Sequence, residues 1–202
     1  MKTKFLHIAT ALLFAGFTSS CSDFLDRYPL DELSDSSFWK TENDAMMAVT
    51  DIYGCLPTWD QDEDINSDNA VHGIKWAAGN ISKGIYDPMD QSWAGSYTPI
   101  RQCNLVLEKV KDIEMSDESR KKIEGQAYFF RAFVYFNLIR SFGDVPYIDK
   151  PLNLTDVEDI TRTPREEVYA KVMADFDKAI EYLPEEWDAA NTPRVTKGAA
   201  VS

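Results

Sequence analysis

The chain has 202 residues and a formal net charge of −13 at pH 7. A negative field of this size repels phosphate backbones and anionic membrane surfaces, so it excludes nucleic acid as a partner and disfavours electrostatic docking on lipid headgroups. Hydrophobic residues make up 44% of the chain, which suffices for the core of one domain or of part of a larger one. Histidine is nearly absent, so a His-rich metal site or a Ser-His-Asp mechanism has little to build on.

Residues 1–20 have the three-part form of a secretory signal peptide. After a start that contains lysine, an apolar run spans Ile8–Phe17, and the small polar residues Thr18–Ser20 lead into Cys21. The apolar run is too short to cross a bilayer core, which needs about 20 residues. We therefore predict that residues 1–20 are removed and that Cys21 is the mature N-terminus.

Small residues followed by cysteine resemble the lipobox of bacterial lipoproteins, in which the thiol is diacylated. Thr18 stands where this motif usually has Leu, and the alternative is ordinary cleavage that leaves Cys21 as an unmodified thiol. Ser22, Asp23 and Asp26 resemble the polar-acidic segment that sends some lipoproteins of the Bacteroidetes type to the cell exterior. The expected location is the outer membrane, facing the exterior, with the lipid anchor as the membrane contact.

The remaining sequence reads as helices separated by polar loops. The first clear helix begins after Thr41, a suitable N-cap with Asp44 three residues later, and Pro57 ends it. Its predicted core face consists of Ala45, Ala48, Val49, Ile52 and Leu56. Apolar residues recur at helical spacing over Trp93–Val110 with Pro99 inside the pattern, so this helix either begins near Pro99 or is kinked there.

The most apolar helix is predicted to open at Ser116–Glu118, with acids near its positive end, and to stop at Gly143, its left-handed terminator. Arg131 and Arg140 on this helix are expected to pair with acids or helix ends. The aromatic residues of this helix recur at helical spacing, which favours core packing over ligand contact for Phe129, Phe130, Phe133, Tyr135 and Phe136.

The clearest helix start lies at residues 163–166. Thr163 is predicted to cap the helix, Pro164 to take its first position and Glu166 to complete a capping box. Residues 196–202 look like the opening of one more helix, so the chain is expected to be incomplete at its C-terminus. The predicted fold class is all-α, with antiparallel helix pairs that stack as in tetratricopeptide arrays and with a long loop insertion, although no strict 34-residue consensus is visible.

The loop insertion spans residues 57–92 and is rich in Asp, Asn and Gly. Such a long connection is typical of a functional or mobile loop. Sugar rings have apolar C–H faces and a rim of hydroxyls, so their sites combine an aromatic platform with carboxylates and amides. The predicted ligand contacts in this loop are Trp76 first, then Tyr86, Asn80, Asp68 and Asn69. The alternative for Trp76 is that it pins the loop onto the helices.

A calcium loop is a weaker interpretation of the same segment. Asp60, Asp62 and Asp64 alternate as calcium ligands do, but Ile65 stands in place of the required Gly and Val71 in place of the bidentate Glu. The EF-hand interpretation therefore fails, and a solvated acidic loop is expected.

Two residue pairs have structural interpretations. Cys55 and Cys103 fall in helical patterns beside apolar residues, and either a disulfide or two buried free thiols would fit them. Trp93 and Tyr97, four residues apart, are expected to join helices rather than to stack on a sugar.

Four segments, in order, resemble the SusD/RagB-like nutrient-uptake lipoproteins of Bacteroidetes. They are the early segment at Phe38–Ala45, the aromatic helix and its Gly-x-Val-Pro turn at Gln126–Pro146, the helix at Thr163–Pro184, and the segment Arg194–Ala200. The resemblance covers essentially the whole mature chain, residues 21–202, and implies that roughly the second half of a typical member is missing.

The resemblance implies a mostly helical, tetratricopeptide-like scaffold that sits as a lid on a TonB-dependent outer-membrane transporter of the SusC type. It also implies binding of oligosaccharide without enzymatic activity, with no catalytic residue, metal or cofactor. One alternative is a scaffold that docks on the transporter and binds no ligand of its own, and another is a peptide-binding, RagB-like uptake protein. A glycan-cleaving enzyme would need two carboxylates at a fixed separation around a cleft, and the acidic loop gives no sign of such a pair.

Overall fold

The computed structural model describes residues 38–56, 84, 93–153, 156 and 159–202. These ranges form helices α1 (Glu42–Ile52), α2 (Trp93–Lys109), α3 (Asp117–Phe142), α4 (Arg165–Tyr182) and α5 (Lys197–Val201). Short 3-10 turns follow α1 at Tyr53–Cys55 and α2 at Val110–Asp112. Extended pairing in the described ranges is limited to an isolated bridge between Val145 and Thr163. The predicted all-α class is confirmed.

Helix α3 lies at the centre of the fold and packs against α1, α2 and α4. Ile123, near the start of α3, shares a buried cluster with Ala179, near the end of α4. Leu138, near the end of α3, shares a second cluster with Val168, at the start of α4, and with Ile100, in the first half of α2, whereas Leu107, near the end of α2, lies in the cluster of Ile123. In these contacts the end of one helix packs against the beginning of its neighbour. Helices α2 and α3, and likewise α3 and α4, are therefore antiparallel, as predicted.

Two of the predicted helix starts are confirmed by side-chain caps. Thr41 and Asp44 form a capping box, since the Thr41 hydroxyl accepts from the Asp44 N–H at 3.3 Å and the Asp44 carboxylate accepts from the Thr41 N–H at 2.8 Å. The hydrogen bond from the Thr41 hydroxyl also holds the pKa of Asp44 below its ordinary value. At α3, the Ser116 hydroxyl accepts from the Ser119 N–H at 3.1 Å. In both caps the hydroxyl and the backbone N–H that it accepts from are three residues apart, so the local sequence is sufficient to predict them.

The predicted capping box at the start of α4 is wrong. Pro164 is the N-cap residue, and no side chain within residues 163–166 caps the helix. The Thr163 backbone N–H instead donates to Val145, while the Thr163 hydroxyl accepts from the Tyr147 N–H at 3.4 Å. Asp144 supplies the cap, because its Oδ1 accepts from the Arg165 N–H at 2.9 Å. A residue 21 positions away in sequence has replaced the local cap.

Other boundaries depart from prediction in smaller ways. Helix α2 begins at Trp93, so Pro99 lies inside it and does not start it. Gly143 has the positive φ expected of a terminator, 71°, but its ψ of −115° lies outside the left-handed helical region. Leu56, predicted on the core face of α1, is exposed beyond the end of the helix, whereas Ala45, Val49 and Ile52 are buried as predicted.

The segment before α5 is tied to α1 and α3 by a cluster of polar contacts. The Arg194 guanidinium donates to the Thr50 hydroxyl at 2.9 Å and to Gln126 Oε1 at 3.2 Å. The Tyr53 hydroxyl donates to the same Gln126 oxygen at 2.9 Å and accepts from the Val195 N–H at 2.9 Å. These contacts join residues that are 68 to 144 positions apart in sequence, so they fix where α5 begins relative to the N-terminal helix.

The two cysteines within the described ranges, Cys55 and Cys103, are both free thiols. Cys103 is buried and Cys55 is half-buried. Burial raises the pKa of Cys55 to about 11 and raises that of Cys103 further, so both thiols stay protonated at neutral pH. The thiol alternative is therefore the one observed. Among the described residues, no helix combines the length and apolarity that crossing a membrane requires.

Candidate ligand-binding groove

The predicted ligand contacts on the loop insertion lie outside the described residues. This applies to Trp76, Tyr86, Asn80, Asp68 and Asn69, and also to the predicted lipidation site, Cys21. Those assignments stay predictions. The described part of the chain contains a second candidate site, which is built on the central helix.

Helix α3, which carries this second site, is joined to α4 by a buried ion pair. Arg131 Nε and Nη2 donate to the two carboxylate oxygens of Asp175, each at 2.7 Å. Both residues are 6% exposed. The expectation that Arg131 pairs with an acid is confirmed, whereas nothing in the local sequence singled out Asp175 as its partner. Burial opposes the charged form of Arg131, but the hydrogen bonds and charge of Asp175 outweigh it and raise the pKa of Arg131.

The ion pair extends into a hydrogen-bonded network that reaches α2. Arg131 Nη1 donates to Asn104 Oδ1 at 2.8 Å, and Asn104 Nδ2 donates to the Ile148 carbonyl at 2.9 Å. Among the described residues, every buried side-chain nitrogen and oxygen has a hydrogen-bond partner. A buried polar network with all members satisfied fixes the relative positions of its helices. Here it fixes α2, α3 and α4 together.

An open groove with a volume of about 780 Å³ lies where α1, α2 and α3 meet. Its walls come from the turn after α1, from the first turns of α2 and from the C-terminal half of α3. Its volume falls within the range of about 300–1,000 Å³ that is typical of small-molecule sites. The α3 wall consists of Phe133, Val134, Phe136, Asn137 and Arg140.

Phe136 lies in this groove and not in the core, so its predicted role is wrong. It is 43% exposed, whereas Phe129, Phe130 and Tyr135 are buried as predicted and Phe133 is half-buried. Phe133, Phe136, Asn137 and Arg140 follow the spacing i, i+3, i+4 and i+7, which places them on one face of the helix. The mixture of aromatic and polar residues on that face was the available signal for a surface site.

Amide and carboxylate groups line the same groove as the exposed ring. Gln102 Nε2 donates to Asp51 Oδ2 at 2.5 Å, and Asn137 Nδ2 donates to the Phe133 carbonyl at 3.0 Å. These two bonds orient both amides. Within the described part of the chain, the amide oxygens of Gln102 and Asn137 accept no hydrogen bond. Each oxygen therefore remains available to an incoming donor.

Trp93 and Tyr97 join elements of the fold, as predicted. The Trp93 ring meets Phe142 edge-on at 4.8 Å between centroids, and the Arg162 guanidinium lies 5.1 Å from the Trp93 ring. The Tyr97 hydroxyl donates to the Pro146 carbonyl at 3.0 Å. Burial raises the pKa of Tyr97 to about 12, so this hydroxyl stays a donor at neutral pH.

No cluster of three or more His, Cys, Asp or Glu residues that could hold a metal ion occurs in the ranges the structure describes. The groove offers an aromatic surface, the amides of Gln102 and Asn137, the Asp51 carboxylate and the Arg140 guanidinium. These groups suit recognition by stacking and hydrogen bonding.

Comparison of the sequence with known proteins identifies a family of helical proteins. The model of the SusD-like family, described as starch-binding and associating with the outer membrane, matches residues 23–202. The SusD-like protein P2 of Formosa agariphila is 29% identical over 98% of this chain and 41% of its own length. The chain thus spans about two fifths of the length of this curated relative.

Solved structures give the same result. A SusD-like protein from Bacteroides fragilis matches with a TM-score of 0.73 and 28% identity, over 86% of this chain and 36% of that protein. A laminarin-binding SusD-like protein matches with a TM-score of 0.70 and 24% identity, over 80% of this chain and 38% of its own, which supports the fold alone.

The packed antiparallel helices place this chain among helical scaffold proteins. The chain belongs to the SusD-like family, whose model matches residues 23–202.

Proposed function

We propose that this protein is a surface-exposed outer-membrane lipoprotein that binds oligosaccharide and delivers it to a TonB-dependent transporter of the SusC type. The observation that carries the proposal is the family match across residues 23–202, under a description that names both starch binding and the outer membrane. The matched relatives are longer than this chain, so the activity of the whole protein is part of the proposal.

In this proposal the protein captures the glycan and carries out no chemistry on it. Capture requires stacking surfaces and hydrogen-bonding groups, and it needs no metal, cofactor or nucleophile. On the loop insertion, Trp76 and Tyr86 serve as stacking surfaces and Asn80, Asp68 and Asn69 as hydrogen-bond partners. The lipid on Cys21 holds the binding protein beside its transporter, so captured glycan meets the pore at high effective concentration.

The test is an affinity measurement with the chain expressed with its leader and extracted in mild detergent. We expect retarded migration in native gels that contain a neutral polysaccharide, and co-purification with a TonB-dependent transporter from the native membrane. Co-purification without retention by any glycan would favour the transporter-docking scaffold. Retention of peptide in place of glycan would favour the peptide-binding alternative, and release of reducing sugars by the pure protein would contradict the non-enzymatic assignment.

A further inference from the structure

We infer that the segment Arg194–Val195 holds one wall of the groove in place, with the Tyr53 hydroxyl as the hydrogen-bonded link between them. The wall is the 3-10 turn Tyr53–Cys55, whose residues Gly54 and Cys55 line the groove. Val195 lies 142 positions from Tyr53 in sequence, so only the tertiary structure creates this link. The inference makes no assumption about what binds in the groove, and it stands apart from the proposed function.

The turn has little support of its own. It follows α1 directly, and none of its three residues is buried. The hydrogen bonds of a 3-10 turn have poorer geometry than those of an α-helix. At Gly54 an added Cβ would meet nothing within 4 Å, so this residue has open space beside it. The side chains of Tyr53 and Cys55 therefore connect the turn to the rest of the fold.

Tyr53 is anchored through both its ring and its hydroxyl. The ring meets Phe130 edge-on at 4.6 Å between centroids. The hydroxyl donates to Gln126 Oε1 at 2.9 Å and accepts from the Val195 N–H at 2.9 Å. Gln126 is fully buried, and its Nε2 donates to the Lys122 carbonyl at 2.9 Å, which orients its oxygen. Burial raises the pKa of Tyr53, so the hydroxyl keeps the proton that it donates.

Arg194 adds a second connection to the same place. Its guanidinium donates to the Thr50 hydroxyl, in the last turn of α1, at 2.9 Å and to Gln126 Oε1 at 3.2 Å. The guanidinium also lies 5.9 Å from the centroid of the Tyr53 ring. One planar group thus bridges α1 and α3 immediately before the turn begins.

The segment Arg194–Val195 is itself fixed to the end of α4. Trp187 Nε1 donates to the Val195 carbonyl at 2.8 Å, and the Lys197 N–H donates to the Pro184 carbonyl at 2.9 Å. A continuous set of hydrogen bonds therefore runs from the residues after α4, through Val195 and Tyr53, to the groove wall. The alternative is that packing alone holds the turn, through the Tyr53 ring on Phe130 and through Cys55, which packs against both apolar clusters.

Two native thiols distinguish these possibilities. Cys55 is half-buried in the turn, whereas Cys103 is buried on α2. Alkylation by iodoacetamide requires access to a thiolate, so its rate at Cys55 reports release of the turn and its rate at Cys103 reports a wider opening. The experiment uses the detergent-extracted full chain at one fixed pH, with mass spectrometry of the peptides to separate the two rates.

Tyr53→Phe removes both hydrogen bonds of the hydroxyl and keeps the ring. We expect Cys55 to be alkylated about tenfold faster in this variant. The Cys55 rate should change little with urea below the unfolding transition, because local release exposes little surface, whereas the Cys103 rate should rise steeply. Arg194→Met, which keeps a long side chain without the guanidinium, should accelerate Cys55 in the same way.

Tyr97→Phe is the matched control. The Tyr97 hydroxyl belongs to another half-buried tyrosine and donates to the Pro146 carbonyl, outside the link. Its removal should leave the urea-independent Cys55 rate unchanged. An equal acceleration in Tyr97→Phe would overturn the inference, because the effect would not be specific to Tyr53.

The other outcomes also decide the inference. An unchanged Cys55 rate in Tyr53→Phe would show that packing alone holds the turn and would overturn the link. An acceleration with the same steep urea dependence as Cys103 would overturn it too, since the thiol would then react through general unfolding. If Tyr53→Phe does not fold, the Cys55 rate of Arg194→Met decides, and an unchanged rate in that variant overturns the link.

Discussion

The Arg131 guanidinium on α3 and the Asp175 carboxylate on α4 form a two-pronged ion pair, with both N–O distances at 2.7 Å. The two residues are 44 positions apart in sequence and almost fully buried. Loss of either member leaves an uncompensated charge among the apolar side chains that surround it.

Asp175→Ala is therefore expected to lower the free energy of unfolding by about 3–5 kcal/mol. The matched control is Glu181→Gln, which removes the exposed ion pair with Lys178 on the same helix and should cost less than about 1 kcal/mol. Urea denaturation followed by circular dichroism measures both values. Equal effects of the two substitutions would contradict the role assigned to the buried pair.

The cap on α4 predicts a distant effect of Asp144. Asp144→Ala removes the acceptor for the Arg165 N–H and should destabilise the protein by about 1 kcal/mol. Glu166→Ala is the control, because Glu166 takes no part in capping and forms only an exposed ion pair with Arg165, so its loss should cost less than about 1 kcal/mol. Thermal or urea unfolding compares the two variants, and a larger cost for Glu166→Ala than for Asp144→Ala would support the capping box that the sequence predicts.

Gly125 marks a close approach of α3 to the end of α4. A Cβ at this position would lie 3.0 Å from the Cβ of Tyr182 and 3.1 Å from the Cγ of Leu183. Gly125→Ala gains about 1 kcal/mol of helix propensity, but overpacking costs about 1–3 kcal/mol, so we expect a net loss of stability. Gly198→Ala, in a helix where the nearest atom is 3.7 Å away, should cause no such loss. Unfolding free energies compare the two, and a stabilised Gly125→Ala protein would contradict the close packing.

Alkaline pH should weaken the fold through Cys55. Burial raises the pKa of this thiol from 9.0 to about 11. Below pH 9 the thiol is neutral in the folded and unfolded chains, and between pH 9 and 11 only the unfolded chain loses its proton, so stability falls as pH rises. Urea unfolding at pH 8 and pH 10 should show this decline. Cys55→Ala should show a smaller decline than the parent chain, and an identical decline would mean that other groups cause it.

The lipid anchor gives a chemical prediction. Mass spectrometry of the mature protein should find an acylated N-terminal Cys21 and no trace of residues 1–20. Cys21→Ser should release the protein from the membrane, because the acyl chains supply the anchoring energy of about 0.8 kcal/mol per buried methylene. Recovery of an unmodified Cys21 thiol at the N-terminus would establish ordinary cleavage instead.

The features that sequence alone determined are those whose cause is local. Thr41 and Ser116 cap their helices through residues within three positions, and the apolar spacing marks the buried faces of α1, α3 and α4. The all-α class follows from such patterns, which predict helices and no strand alternation. The resemblance to SusD-like proteins rested on segments of this kind, and it is confirmed over residues 23–202.

Tertiary structure decided whatever depends on residues that are far apart in the chain. Asp144 capped α4 because folding brought a better acceptor to Arg165 than the neighbouring Thr163 provided. Phe136 shares its helical spacing with buried rings, yet it is exposed on the wall of the groove, which no periodicity in α3 encodes. A pattern along one helix specifies which residues share a face. Whether that face meets another helix or an open groove depends on the packing of the other elements, and that packing made Phe136 a candidate binding surface.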